Sequence, residues 1–209
     1  MTLGAIKAEA LRMMQVDIDV DENNVHIVEE DEGFRMYYSG IPGALNRAFS
    51  NLEARRVLPK KRAELTDARV LPGRVALFSL DKVPCFFAPA RLVVIGEHYM
   101  NENCPFSYEA GYITVCQYDK DARYELLYYP AINRVTNLTL NSTGIDLPEQ
   151  LAEALPYFIK AELYRMDEPG EANDARNWYE AAVEQYALSM TNGVQTKVES
   201  IWEETADEI

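Results

Sequence analysis

The chain has 209 residues, 48% of them hydrophobic and 26% charged, with a formal net charge of −14. That size and usage suit one domain, or one body carrying a smaller module. The charge argues against general affinity for phosphate backbones and against an anionic membrane surface, since both need clustered Lys and Arg. Apolar runs such as Leu92-Val93-Val94-Ile95 are far too short to span a bilayer.

Met1-Thr2-Leu3-Gly4 runs straight into a helical pattern with Lys7, Glu9 and Arg12, unlike a secretory leader, so a reducing compartment is expected. A first helix is expected over 3–14, where Leu3, Ile6, Ala10, Met13 and Met14 fall near one face. Residues 15–38 hold an extended alternation, Val16-Asp17-Ile18-Asp19-Val20, and then an acidic loop through Glu29-Glu30-Asp31-Glu32. A second helix is expected after Ser39-Gly40, with Pro42 in its first turn and Ile41, Leu45, Ala48, Phe49 and Leu52 on one face. It is expected to end in Arg55 and Arg56, where the helix dipole favours cations.

The apolar period then changes to two. Residues 74–80, 90–100, 112–119 and 123–129 read as strands rich in Val, Ile, Tyr and Phe. Asp119-Lys120-Asp121 fits a hairpin turn, and Pro72-Gly73, Pro84, Pro89 and Pro105 mark the edges. A third helix opens with Asp146 as its expected cap, Glu149 closing a capping box and Pro148 in the first turn. Its stripe is Leu151, Leu155, Phe158, Ile159, Leu163 and Met166. After Asp167-Glu168-Pro169 a fourth helix is expected from Pro169 to Met190, with Ala172, Ala175, Tyr179, Ala182, Val183 and Tyr186 on one face. So short a break joins two antiparallel helices. Asn192-Gly193 reads as a helix stop.

These elements predict an α+β chain: an antiparallel helical bundle with an inserted small, mainly antiparallel β module and a C-terminal extension. The expected boundaries are 1–62 with 145–190 for the helical body, 63–144 for the β module and 191–209 for the extension.

Motifs for chemistry are scarce. There is no GxxxxGK[ST], GxGxxG or GxSxG, so nothing cradles phosphates or forms a nucleophile elbow. His26 and His98 stand far apart, and Cys85, Cys104 and Cys116 lack CxxC spacing and read as buried thiols. Asp17-x-Asp19-x-Asp21 resembles the start of a calcium loop, but Glu22 stands where a turning glycine belongs and Val28 where a bidentate glutamate belongs. The expectation is no catalytic residue, no metal and no cofactor, hence no enzyme.

Two features suit assembly instead. Arg55, Arg56, Lys60, Lys61 and Arg62 form a basic strip in an acidic chain. It reads either as a solvated helix end, or as a surface that meets a neighbour's acidic loop or faces DNA. In the tail, Val194, Val198, Ile201 and Trp202 form a helical stripe among Glu199, Glu203, Glu204, Asp207 and Glu208. So short a helix is marginal alone in water, and its stripe needs a groove, on its own bundle or on another protein.

Several phrases resemble the head-to-tail adaptor (connector) proteins of tailed bacteriophages. Ile6-Lys7-Ala8-Glu9-Ala10-Leu11-Arg12-Met13-Met14 is similar to the family's opening helix. Ile41-Pro42-Gly43-Ala44-Leu45-Asn46-Arg47-Ala48-Phe49 with Val57-Leu58-Pro59 is similar to its second. The strongest phrase is Leu155-Pro156-Tyr157-Phe158-Ile159-Lys160-Ala161-Glu162-Leu163-Tyr164, continuing through Asp167-Glu168-Pro169-Gly170-Glu171-Ala172 to Ala175-Arg176-Asn177-Trp178-Tyr179-Glu180. These are packing signatures, and they span most of 3–190.

The resemblance implies a structural virion protein, made in the bacterial host cytoplasm and placed at the head–tail junction. It implies a homo-oligomeric ring of twelve copies between the portal protein and a tail or nozzle protein. Double-stranded DNA would pass through without sequence-specific binding, and no membrane is involved. A C-terminal segment docking on the portal would use Val194, Val198, Ile201 and Trp202. The rival readings are another connector part (a stopper or tail-tube terminator), a cellular cytosolic binding module, or an unrecognised carboxylate hydrolase.

Overall fold

The structure, a computed structural model, describes residues 1–16, 18–20, 25–27, 32–96 and 99–206; of these, 20, 26, 27, 32–34, 99–102 and 192–206 are described by backbone alone. The chain separates into two compact units, Met1–Leu52 with Arg134–Ile209, and Glu53–Asn133.

In the first unit, α1 (Leu3–Met13) starts where Thr2 accepts a hydrogen bond from the Ala5 N–H at 3.3 Å, which satisfies one orphan donor of the first turn. Leu3, Ile6, Ala10 and Leu11 are buried along its inner face. Two short strands follow, β1 (Ile18–Val20) and β2 (Val25–Ile27), paired antiparallel. The second helix, α2 (Glu32–Ala54), begins well before Ser39-Gly40, so Pro42 lies inside it rather than in its first turn. Gly40 has a different purpose from a helix boundary. A Cβ there would come within 2.8 Å of Leu163 Cδ2, so its bare backbone lets α2 approach that side chain closely.

Helix α3 (Glu149–Leu163) has Pro148 as its N-cap, with no side-chain capping bond. Asp146 therefore does not cap it: the proline fixes the entering backbone, and its carbonyl accepts from Leu151 and Ala152. Helix α4 (Pro169–Ala206) returns antiparallel and buries Ala172, Ala175, Tyr179, Val183 and Tyr186. Phe158 meets Tyr179 edge-on at 4.8 Å between ring centroids, with the Arg176 guanidinium 4.4 Å from the Phe158 ring. Leu155 and Phe158 are buried and Leu163 is half-buried, but Met166 lies past the end of α3 and is exposed. Glu162 ties three helices together by accepting from Arg47 of α2 at 2.7 Å and from Arg176 of α4. The backbone of α4 passes Asn192-Gly193 without stopping. One glycine costs a helix interior only about 1 kcal/mol, which is too little to enforce a break.

Among the described residues the second unit has eight strands: β3 (Lys61–Leu65), β4 (Arg69–Leu71), β5 (Val75–Ser79), β6 (Phe86–Gly96), β7 (Tyr99–Asn103), β8 (Phe106–Glu109), β9 (Tyr112–Cys116) and β10 (Arg123–Pro130). They form two four-stranded antiparallel sheets, ordered β3-β10-β6-β7 and β4-β5-β9-β8. Alternate residues of both sheets share one core, with Phe78, Leu92, Ile113, Tyr124, Leu126 and Tyr128 at its centre. Asp119-Lys120-Asp121 is not a hairpin turn, because β9 and β10 belong to different sheets. The turn is held locally, with the Asp121 N–H donating to Asp119 Oδ1 at 3.0 Å and the Asp119 N–H to the Tyr124 hydroxyl at 2.9 Å. Stacking of Tyr118 on Tyr124 then carries the chain across to the opposite sheet.

The α+β class thus needs a different architecture from an antiparallel helical bundle with a small β insert. Helices make up only 41% of the chain, and the β part is a pair of packed sheets. Strands β3 and β4 are short, largely exposed and rich in charge, and β8 alternates Phe106-Ser107-Tyr108-Glu109 over only four residues, so their apolar signal is weak.

Candidate interaction surfaces

The basic strip begins just past the end of a helix, with no cation in the helix's own last turn. Helix α2 stops at Ala54, and Arg56 adopts a left-handed conformation with φ 55, its N–H donating to the Glu53 carbonyl at 2.9 Å. This is the αL helix ending that glycine usually supplies. Lys61 and Arg62 lie in β3, and Lys60 immediately precedes it. Arg62 pairs with the buried Glu125 at 2.9 Å, and Arg123 pairs with the other oxygen of that carboxylate at 2.6 Å. The Arg56 and Lys60 cations sit 5.8 and 5.5 Å from the centre of the Tyr129 ring. All five cations are exposed. Arg62 also has an internal duty, neutralising a buried carboxylate that alternates with Tyr124 and Leu126 and so lies on the face of its sheet away from the shared core.

The tail residues Val194, Val198, Ile201 and Trp202 fall within the backbone of α4, and their side chains lie outside the described part of the molecule. Of the calcium-like triplet, Asp19 is in β1 opposite His26, while Asp17 and Asp21 lie outside the described residues, as does His98. Among the described residues no three His, Cys, Asp or Glu side chains come together as a metal site, and no helix is long and apolar enough to cross a membrane.

The cysteines differ from their expected burial: Cys85 and Cys116 are exposed and Cys104 is half-buried. Cys116 occupies an outward position of β9. Burial, helped by the nearby Cys116, pushes the Cys104 thiol above its ordinary range, the opposite of an activated nucleophile. The Asp-Glu-Pro turn before α4 is structural. Tyr37 donates to Asp167 Oδ2 at 2.7 Å, and that bond, followed by burial, pushes the Tyr37 hydroxyl up to about 12.

Two surfaces carry no sequence motif. The first is a groove of about 570 Å³ between α1, α3 and α4. Met13, Ala154, Tyr157, Ala182 and Tyr186 give it apolar walls, with Glu9 and Glu153 also lining it. Tyr157 pairs with Trp178 at 6.4 Å beside this groove, and Trp178 is exposed. The second is the loop before α3, where Leu138 and Leu140 are 92% and 72% exposed.

No protein-family model matches the chain, and no curated protein matches it significantly.

Proposed function

We propose that the protein is a non-catalytic structural subunit, a head-to-tail adaptor whose ring joins a phage portal to the tail and gives passage to DNA. One observation carries the reading. All but one of the phrases that resemble the adaptor family fall within one unit, in α1, α2 and the α3–α4 hairpin; Val57-Leu58-Pro59 follows α2 in the other unit. Glu162, Tyr37 and Tyr179 then tie the hairpin to α2, with Tyr179 donating to Asn51 at 3.0 Å. Such a braced hairpin presents its outer faces as rigid surfaces, which suits a subunit held by its neighbours. A net charge of −14 also lets a DNA backbone slide past such a ring without sticking.

Portal docking is assigned to the last turns of α4, through Val194, Val198, Ile201 and Trp202. The basic strip is assigned to a neighbouring acidic loop or to the DNA path. The experiment is co-sedimentation with portal rings, comparing the full chain with a truncation lacking residues 193–209. The expected result is that the truncated chain melts like the full chain but no longer docks. Docking by the truncated chain removes the tail from the contact, and absence of docking by the full chain contradicts the adaptor reading.

A further inference from the structure

The loop carrying Leu138 and Leu140 is uncharged, holds both leucines exposed and is tied down by hydrogen bonds. Its start is clamped to α2, where Asn46 donates to the Val135 carbonyl at 2.8 Å and accepts from the Val135 N–H at 2.9 Å. Its far side is clamped to α1, where the Leu3 N–H donates to Thr143 O at 2.9 Å and the Gly4 N–H to Asn141 O at 2.8 Å. At the tip, the Thr136 N–H donates to Thr139 Oγ1 at 2.9 Å, and the Thr139 N–H returns to the Thr136 carbonyl at 3.1 Å. A loop that satisfies its own polar groups while holding two leucines in water loses little entropy on docking. Neither leucine reaches the groove of its own copy.

The groove matches this knob in chemistry. Its volume of about 570 Å³ lies in the range of pockets that bury most of a bound group, ~300–1,000 Å³, and is ample for two leucine side chains. Gln150, Gln185 and Ser189 accompany the apolar walls and suit the neutral Asn and Thr neighbours of the leucines. Residues 135–145 carry no charge, so nothing on the knob is repelled by Glu9 or Glu153. The acidic tail of a second copy, with Glu199, Glu203 and Glu204, would meet like charge there.

We propose that Leu138 and Leu140 of one copy insert into the α1–α3–α4 groove of the next copy and form the repeating contact of the ring. The proposal rests on the ring reading above. Knob and groove are different patches of the same unit, so the contact is head-to-tail, and it closes into a ring when the rotation between copies permits.

The test uses two variants of the full chain at exposed positions. Leu138→Asp with Leu140→Asp removes the knob, and Gln185→Trp fills the groove. Sedimentation velocity of each should show self-association weakened about a hundredfold or more for the double variant, at about tenfold to a hundredfold per leucine, with melting unchanged. Mixed together, the variants supply one intact knob and one intact groove, so they should form a heterodimer that grows no further. Unaltered association of both variants, or a mixture that stays monomeric while the unmodified chain associates, overturns the contact and leaves the groove to another occupant. If symmetric rings of unmodified chain persist in that case, the ring reading stands and only this contact is wrong. Unmodified chain that stays monomeric alone and with portal overturns both.

Discussion

The two units spend their apolar residues differently. The sandwich of Glu53–Asn133 encloses a shared core, and among its described residues the exposed large apolar side chains, Val70, Phe87, Tyr108 and Tyr112, range from 39% to 59% exposure. The helical unit has a core just as closed, around Phe49, Leu155 and Tyr179. It also leaves Leu138, Leu140, Met166 and Trp178 at 67% to 92% exposure. Exposed apolar groups that gather into a contiguous patch suit contact surfaces, whereas single ones are ordinary. Under the proposed adaptor reading, the comparison makes the helical unit the one to test first for contacts between copies.

The largest expected effects come from the two cores, and they test whether both are equally closed. Phe158→Ala and Phe78→Ala each remove an aromatic group that is no more than 3% exposed. Each should cost about 3–5 kcal/mol in chemical denaturation. A loss below about 1 kcal/mol in either would show that its unit is not packed as described. Next is the buried carboxylate of the sandwich. Replacing Arg62 and Arg123 together by Ala leaves Glu125 without these two cations, and should cost about 2–3 kcal/mol. Either single replacement should cost less, because one arginine remains. Equal losses for the single and double variants would deny that the two share Glu125.

A smaller effect is expected at the Asp-Glu-Pro turn. Tyr37→Phe removes the bond to Asp167 and should cost about 1 kcal/mol near neutrality. The Tyr37 hydroxyl is raised from 10.0 to about 12 in the folded chain. Its contribution is therefore complete below pH 10 and is lost as pH rises through 12. The stability gap between the Phe variant and the unmodified chain should narrow over that window, and a gap independent of pH would exclude this bond as its source. The smallest stability effect is expected for Lys60→Glu with Lys61→Glu, within about 0.5 kcal/mol for exposed positions. Ring formation or genome retention should nevertheless weaken, and more so at low salt. Unchanged assembly at low salt would assign these two cations to solvent.

The sequence revealed the parts of the fold whose apolar period is strong and misled where one residue had two explanations. The face of α1, that of α3 up to Leu163, and the inner strands β5, β9 and β10 follow from spacing alone, while the strand expected over 90–100 takes in only the second half of β6 and the start of β7. Gly40 with Pro42 reads as a helix start, yet α2 begins at Glu32 and runs through both. Asn192-Gly193 reads as a stop although α4 passes through it. The basic strip was visible as charge, but its internal duty depends on Glu125 and Tyr129, distant in sequence and adjacent only through strand pairing. The leucine loop and the groove were not legible at all. Leu138 and Leu140 alternate with polar residues as a half-buried strand would, and only the folded chain shows both facing water.

The most direct test of the central claim is electron microscopy of the purified chain, alone and with portal rings. The account predicts symmetric rings with a central passage, stacked on the portal when it is present. Isolated particles of single-subunit size under both conditions would contradict it.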